Sequence, residues 1–196
     1  MKIAIFPLNG AILFPKTNLP LNIFEERYVD MIDYSLSNNR FIGMVQQKEN
    51  NELYNVGCYG KITVFNETQD KRYLINLEGI SCFKIIKEID SASKFRICEI
   101  EIFDNFSGPI LQDGLKPKIL DSFKKYNKVK NINVNLDDVS QLNVVDLLKL
   151  IVMVSPFDVS VKQMFLELKS NKELYENILS TLEIELASHQ ESTSIN

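Results

Sequence analysis

Apolar residues follow two rhythms along this chain, and the change falls near residue 104. Before it they sit in short runs or alternate with polar residues, the period of half-buried strands. Residues 2–6 form a run that Pro7 ends, and 11–14 and 19–24 read as extended segments separated by Pro15 and Pro20. Residues 41–46 are apolar between polar flanks, and 56–66 alternate in part. Residues 72–78 put Tyr73, Ile75 and Leu77 on one face; Gly79 interrupts, and 83–89 resume. Over 95–103 the apolar face is that of Cys98, Ile100 and Ile102. Short strands at this spacing predict an antiparallel sheet curled toward a barrel. One helix interrupts them. Over 25–37, Tyr28, Met31, Ile32 and Leu36 share a stripe, Glu25 and Glu26 occupy the first turn where the helix dipole favours carboxylates, and Asn38-Asn39 end it.

A polar stretch at 104–113, containing Gly108-Pro109, reads as a connection between two lobes. Helical periodicity then takes over. Residues 118–128 form a short basic helix and 131–138 an Asn-rich loop, in which Asp137-Asp138 start a helix or turn. Residues 143–154 carry Val144, Leu147, Leu148, Ile151 and Val152 on one stripe, stopped at Ser155-Pro156. Ser160 and Gln163 have capping-box spacing for a helix that buries Met164, Phe165 and Leu168. Asn171 is the expected cap of the last helix, with the stripe Leu174, Tyr175, Ile178, Leu182 and Leu186. The fold class is α+β: a β lobe over 1–106, a helical lobe over 107–190 and a frayed tail over 191–196.

At 196 residues, with 45% apolar and 24% charged side chains, the chain can bury a sizeable core and lacks the composition of a disordered protein. The net charge of −4 and the 18-to-4 excess of Lys over Arg argue against a nucleic-acid footprint. The best contrary signal is one cluster, Lys124-Lys125, Lys128 and Lys130 around Tyr126, and a solvated helix face explains it better. No apolar run approaches the roughly 20 residues that span a bilayer. Cys58, Cys82 and Cys98 are odd in number, match no metal spacing and fall in predicted strands, so they read as buried thiols of a soluble, cytoplasmic protein.

Catalytic signatures are missing. The sequence has no P-loop, no G-x-G-x-x-G and no G-x-S-x-G. Its single His, His189, lies in the polar tail, where neither a triad nor a metal site can be organised. Glu25 and Glu26 are sequence neighbours and point different ways on a helix, a poor acid–base dyad. The chain is expected to be no enzyme and to carry no cofactor or metal.

One ordered run is specific. Phe6-Pro7-Leu8, Leu13-Phe14-Pro15 and Leu19-Pro20-Leu21-Asn22-Ile23-Phe24-Glu25-Glu26-Arg27-Tyr28 resemble the FPL, LFP and LPLxIFExRY pattern of the amino-terminal, substrate-binding domain of the ATP-dependent Lon protease. Gly43-Met44-Val45, the strand from Val56 to Ile62, Tyr73 to Gly79 with Phe83-Lys84-Ile85, and Ser155-Pro156-Phe157 with Lys162-Gln163 and Leu166-Glu167 extend the likeness over nearly all of 1–186. Three positions depart. Asp70-Lys71-Arg72 stands where the family has Asp-Gly-Arg, and the lost Gly suggests a different turn because Lys resists positive φ. Cys82 replaces a frequent Arg, and Glu26 a frequent Pro.

The resemblance implies a PUA-like β pseudo-barrel lobe with one helix, followed by a C-terminal helical bundle. It also implies a free-standing form without ATPase or peptidase modules: a non-enzymatic module that binds a polypeptide substrate or protein partner, recognising unfolded or exposed apolar segments. Strand addition at a sheet edge or an apolar groove between the lobes would supply the contact. Pro15, Phe24, Tyr28, Arg72 and Phe157 are the candidate peptide-binding residues, although most of the motif has a plain reading as core. The alternatives are an RNA-binding PUA-like protein and an adaptor that docks onto a full-length protease.

Overall fold

The computed structural model describes residues 1–106 and 111–194, with side chains for all of these but Asp113 and 190–194. Two compact units divide at Asp104/Asn105. The Gly108-Pro109 step read as their connection lies outside the described residues, as do residues 195 and 196 of the predicted tail.

The first unit holds strands β1 (Lys2–Pro7), β2 (Asn18–Ile23), β3 (Phe41–Gln47), β4 (Leu53–Glu67), β5 (Tyr73–Ile89) and β6 (Arg96–Phe103), and helix α1 (Glu26–Ser37). The sheet is mixed. β1 pairs in parallel with β3, with α1 in the connection between them; all other pairings are antiparallel. The expectation of a wholly antiparallel sheet is corrected here, because the β1–β3 pairing joins segments far apart in sequence and leaves no local signal. β1, β3, β4, β5 and β6 pair around a closed circuit, since β5 bonds β6 and β6 bonds β1. β2 lies outside the circuit, paired only with the first part of β5 among the described residues.

Alternation along β1 separates two apolar clusters. Ile3 and Ile5 join Val45, Phe83, Cys98 and Ile100; Ala4 and Phe6 join Leu13, Met31, Ile32, Ile42, Ile62 and Leu77, the cluster that α1 covers. A Cβ on Gly57 would stand 2.5 Å from the Met44 carbonyl oxygen and 2.7 Å from the Phe83 ring, so the bare backbone there makes room for the phenyl group.

Gly79 does not interrupt β5, which runs unbroken from Tyr73 to Ile89. Its function is close approach: a Cβ would lie 2.0 Å from the Phe14 carbonyl oxygen. Residues 11–14 are not a strand; Ile12, Leu13 and Phe14 are buried in a loop held to Gly79, whose carbonyl accepts the Lys16 N–H at 2.7 Å. On α1 the buried face is Tyr28, Met31, Ile32 and Ser35, with Leu36 only partly covered. The Ser35 hydroxyl tolerates burial by donating to the Met31 carbonyl at 2.8 Å. Lys71 does adopt φ 63°, contrary to the expectation drawn from the missing Gly. Thr68 holds the turn: its hydroxyl accepts the Arg72 N–H and donates to the Arg72 carbonyl, each at 3.0 Å, while Arg72 pairs with Asp70.

The second unit comprises a 3₁₀ turn (Asp113–Leu115) and helices α2 (Lys116–Lys130), α3 (Leu136–Gln141), α4 (Val144–Val154), α5 (Val159–Glu167) and α6 (Asn171–Ser194). α6 packs against α2, α4 and α5. The core contains Ile119, Phe123, Tyr126, Leu147, Leu148, Ile151, Phe165, Leu174, Ile178 and Leu182. Part of the predicted Asn-rich loop is helical: the Asn135 side chain caps α3 by accepting the Asp137 N–H at 3.0 Å. Asn143 caps α4 in the same way through Asp146.

Three local expectations are corrected. α5 begins after Asp158, so Ser160 and Gln163 form no capping box; Gln163 donates to Glu167 instead. Its buried apolar residues are Phe165 and Leu166, whereas Met164 is exposed and Leu168 half-buried. The hydroxyl of Ser170, not Asn171, accepts the Glu173 N–H at 3.2 Å, and the Glu173 carboxylate returns to accept the Lys169 N–H at 2.9 Å.

Candidate functional site

The motif from Leu21 to Tyr28 carries the chain from the end of β2 into the first turn of α1. Ile23 turns into the core and Phe24 turns out, 67% exposed. Glu25 then starts the helix through its backbone, its carbonyl accepting the Tyr28 and Val29 N–H groups at 2.9 and 3.0 Å. Its carboxylate does not cap the helix but binds Arg27 (Arg27 Nε to Oε2, 3.0 Å). The Arg27 guanidinium lies over the Tyr28 ring, 4.4 Å from its centroid, and the Phe6 ring meets Tyr28 edge-on at 4.7 Å. These contacts hold Tyr28 as one wall of a cleft of about 290 Å³.

Phe6, Pro7, Leu8 and Asn9 at the end of β1, together with Gln47, line one side of this cleft; Leu21, Asn22, Ile23, Phe24, Glu25 and Arg27 line the other. The Asn9 side chain accepts the Gln47 N–H at 3.0 Å, and the Leu8 N–H donates to the Val45 carbonyl at 3.0 Å, so the loop after Pro7 is tied to β3. Burial pushes the Tyr28 phenol above its ordinary pKa, with Arg27 opposing it, so the ring is neutral at physiological pH. The arrangement offers aromatic and aliphatic surface, one internally closed ion pair and no nucleophile. An apolar group of matching size would find contact surface there.

Of the five candidate residues, the structure brings Phe24 and Tyr28 together at this cleft. Pro15 is half-buried in the loop before β2, and Arg72 is engaged by Asp70 in the β4–β5 turn. Phe157 belongs to the helical unit, buried between Tyr126 and Phe165 at centroid distances of 5.6 and 5.8 Å. Phe6, Leu8, Asn9, Leu21, Arg27 and Gln47 were not singled out for binding from sequence. The signal was present in the Pro7 stop, which ends β1 at the cleft.

The other chemistry-bearing groups have structural partners. Glu26 pairs with Lys94 while Glu25 pairs with Arg27, so the two carboxylates diverge. The three cysteines are buried and in no disulfide, and burial pushes Cys98 up to about 11. In the basic cluster Lys125 pairs with Asp121 at 2.6 Å and Lys130 with Glu185 at 2.8 Å, and Tyr126 is fully buried, unable to stack on a base. Among the described residues no helix is long and apolar enough to cross a membrane.

The family profile described as "ATP-dependent protease La (LON) substrate-binding domain" matches residues 2–183, so the chain belongs to that family, as the substrate-binding module rather than the ATPase or protease part. Among curated proteins it is similar to the Lon protease of Buchnera aphidicola subsp. Baizongia pistaciae, 24% identical over 95% of this chain, and to that of subsp. Schizaphis graminum, 25% identical over 95%. It spans about a quarter of the length of each: 25% in both cases. Among solved structures, the Lon N-terminal domain protein from Xanthomonas campestris superposes with a TM-score of 0.68 at 16% identity, covering 92% of this chain and 98% of that one. The N-terminal domain of Mycobacterium avium complex Lon protease gives 0.66 at 12%, covering 93% and 98%. These likenesses show the same α+β fold.

Proposed function

We propose that this chain is a non-enzymatic module that binds polypeptide through exposed apolar segments, and that the cleft beside Phe24 is where it does so. The observation that carries the reading is an aromatic side chain left two-thirds exposed at the mouth of a cleft walled by Phe6, Leu8, Leu21 and Tyr28. Large apolar groups grouped around a concavity mark interaction sites more often than chance exposure does. Membership of a substrate-binding family supports the same reading. The closed circuit of strands with one crossover helix supports a PUA-like pseudo-barrel, and three buried cysteines outside any disulfide suit a reducing, cytoplasmic setting.

The test is fluorescence anisotropy with a labelled, permanently unfolded polypeptide and with a short single-stranded RNA, each at low and high salt. Polypeptide binding that survives salt is the expected result. Binding of RNA alone, lost steeply with salt, would replace this reading with a nucleic-acid one. Silence from both probes would contradict it in favour of a dedicated folded partner, such as a full-length protease.

A further inference from the structure

The cleft adjoins a strand edge whose backbone groups can be assigned one by one. The Gly79 N–H donates to the Thr17 carbonyl at 2.9 Å, the bond that flanks a non-bonded Asn18–Glu78 pair. Bonded and non-bonded pairs alternate along an antiparallel ladder. Leu19, Leu21 and Ile23 therefore turn their N–H and C=O groups to β5, and Asn18, Pro20 and Asn22 turn theirs away. The far side of β5 agrees. There the Thr68 N–H donates to the Arg72 carbonyl at 2.9 Å, so Leu74 and Asn76 face β4 and leave Tyr73, Ile75 and Leu77 to β2. Pro20, with no N–H to give, sits at a position where the ladder needs none.

Edge strands are commonly guarded by charge or by proline. From Asn18 to Phe24 this one has no charge, Pro20 withholds a single outward N–H, and the ion pair at the cleft, Glu25–Arg27, pairs within itself. The charges of that pair offset each other, and a neutral apolar side chain matches the aromatic and aliphatic lining of the cleft. The cleft takes no lining from β5 and is lined by the end of β1, the last residues of β2 and the start of α1, so it adjoins the strand that, among the described residues, has no partner on its other edge.

Resting on the polypeptide-binding reading, we infer that the occupant is an uncharged, extended segment that adds to β2 as a further strand. Its backbone bonds Asn18 and Asn22 through both their N–H and C=O groups and Pro20 through its carbonyl alone, and every second side chain enters the cleft beside Phe24.

The experiment uses the full chain and a short labelled peptide of alternating leucine and threonine, read by anisotropy. Asn22→Pro removes one outward N–H and spares the ladder with β5; Asn22→Ala removes only the side chain. Asn22→Pro is expected to weaken binding about tenfold or more, and Asn22→Ala less than about twofold. Peptides N-methylated at alternate backbone positions form a second arm that needs no variant: one register should lose binding and the other keep it. Equal binding of both registers, or wild-type affinity in a folded Asn22→Pro protein, overturns the strand mode and leaves polypeptide binding standing. No binding of any peptide to the wild-type chain overturns both.

Discussion

In the β unit, Phe24, Val64, Leu74, Ile80, Ile86 and Ile102 stand in solvent, while among the described helical residues the large exposed apolar side chains are Met164 and Ile184. The burial of polar groups runs the other way. The helical unit encloses Asn105, Lys149, Ser155, Lys162 and Gln163, whereas the β unit encloses Ser35 and Gln46. Lys162, 5% exposed, donates to the Met153 carbonyl at 3.4 Å, and Lys149 lies 5.6 Å from the Phe106 ring centroid. Asn105 reaches the Leu166 carbonyl at 2.5 Å, and Asn171 the Phe106 carbonyl at 3.2 Å. Buried polar groups that find partners fix a unique packing, whereas exposed apolar groups leave free energy to be gained by association. The β unit therefore leaves more apolar surface in solvent, and the helical unit ties Asn105, Lys162 and Asn171 to carbonyls in its interior.

The strongest way to break this contrast is at glycine. Gly79→Val forces a side chain against the Phe14 backbone in the β unit and should destabilise by about 3 kcal/mol or more in urea denaturation. Gly114 lies in open space, where an added methyl group would meet nothing within 4 Å, and should accept Ala within about 0.5 kcal/mol of wild type. A near-neutral Gly79→Val would mean the loop before β2 is not held as described.

Two buried titratable groups sharpen the comparison because they respond to alkali with opposite sign. Burial raises the Cys98 thiol from 9.0 to about 11, so its contribution is complete below pH 9 and is lost as pH rises through 11, by about 2–3 kcal/mol at most. Burial lowers Lys162 below 10.5, so the unfolded chain holds that proton longer and stability rises as pH climbs toward 10.5. Measured against wild type from neutral to alkaline pH, Cys98→Ala should gain relative stability and Lys162→Met should lose it. Parallel slopes would show that one of these groups is not buried in solution. The same burial predicts that all three thiols resist maleimide at pH 8 in the native state and react together in denaturant.

The smallest expected effect on folding belongs to the residue proposed as the anchor for binding. Phe24→Ala should change stability by less than about 0.5 kcal/mol, given its exposure, yet weaken polypeptide binding about tenfold. A large loss of stability would place Phe24 in the core instead.

Local rhythm made much of this legible. The strands at 2–6, 41–46 and 56–66, the α1 stripe and the helix ended by Ser155-Pro156 all follow from periodicity and stop signals. What escaped depends on partners distant in sequence. Gly79 looks like a breaker until Phe14 is seen against it, and the parallel β1–β3 pairing has no local signature. Lys71 tolerates a positive φ because Thr68 supplies the turn's hydrogen bonds. On α5, which begins after Asp158, Leu166 is buried beside Phe165 and Met164 faces solvent, an assignment made by the neighbouring helices rather than by local periodicity. At the cleft, Phe24 and Tyr28 could be read from the motif. Leu8, Asn9 and Gln47 could not, since they join it only through the Asn9–Gln47 and Leu8–Val45 bonds.

Amide hydrogen exchange with and without saturating unfolded polypeptide tests the central claim most directly. The amides of Leu19, Leu21 and Ile23 are already bonded to β5 and should be slow in both states, while those of Asn18 and Asn22 should exchange fast alone and slow on binding. Protection confined to the helical unit, with Asn18 and Asn22 unchanged under saturating polypeptide, would contradict it.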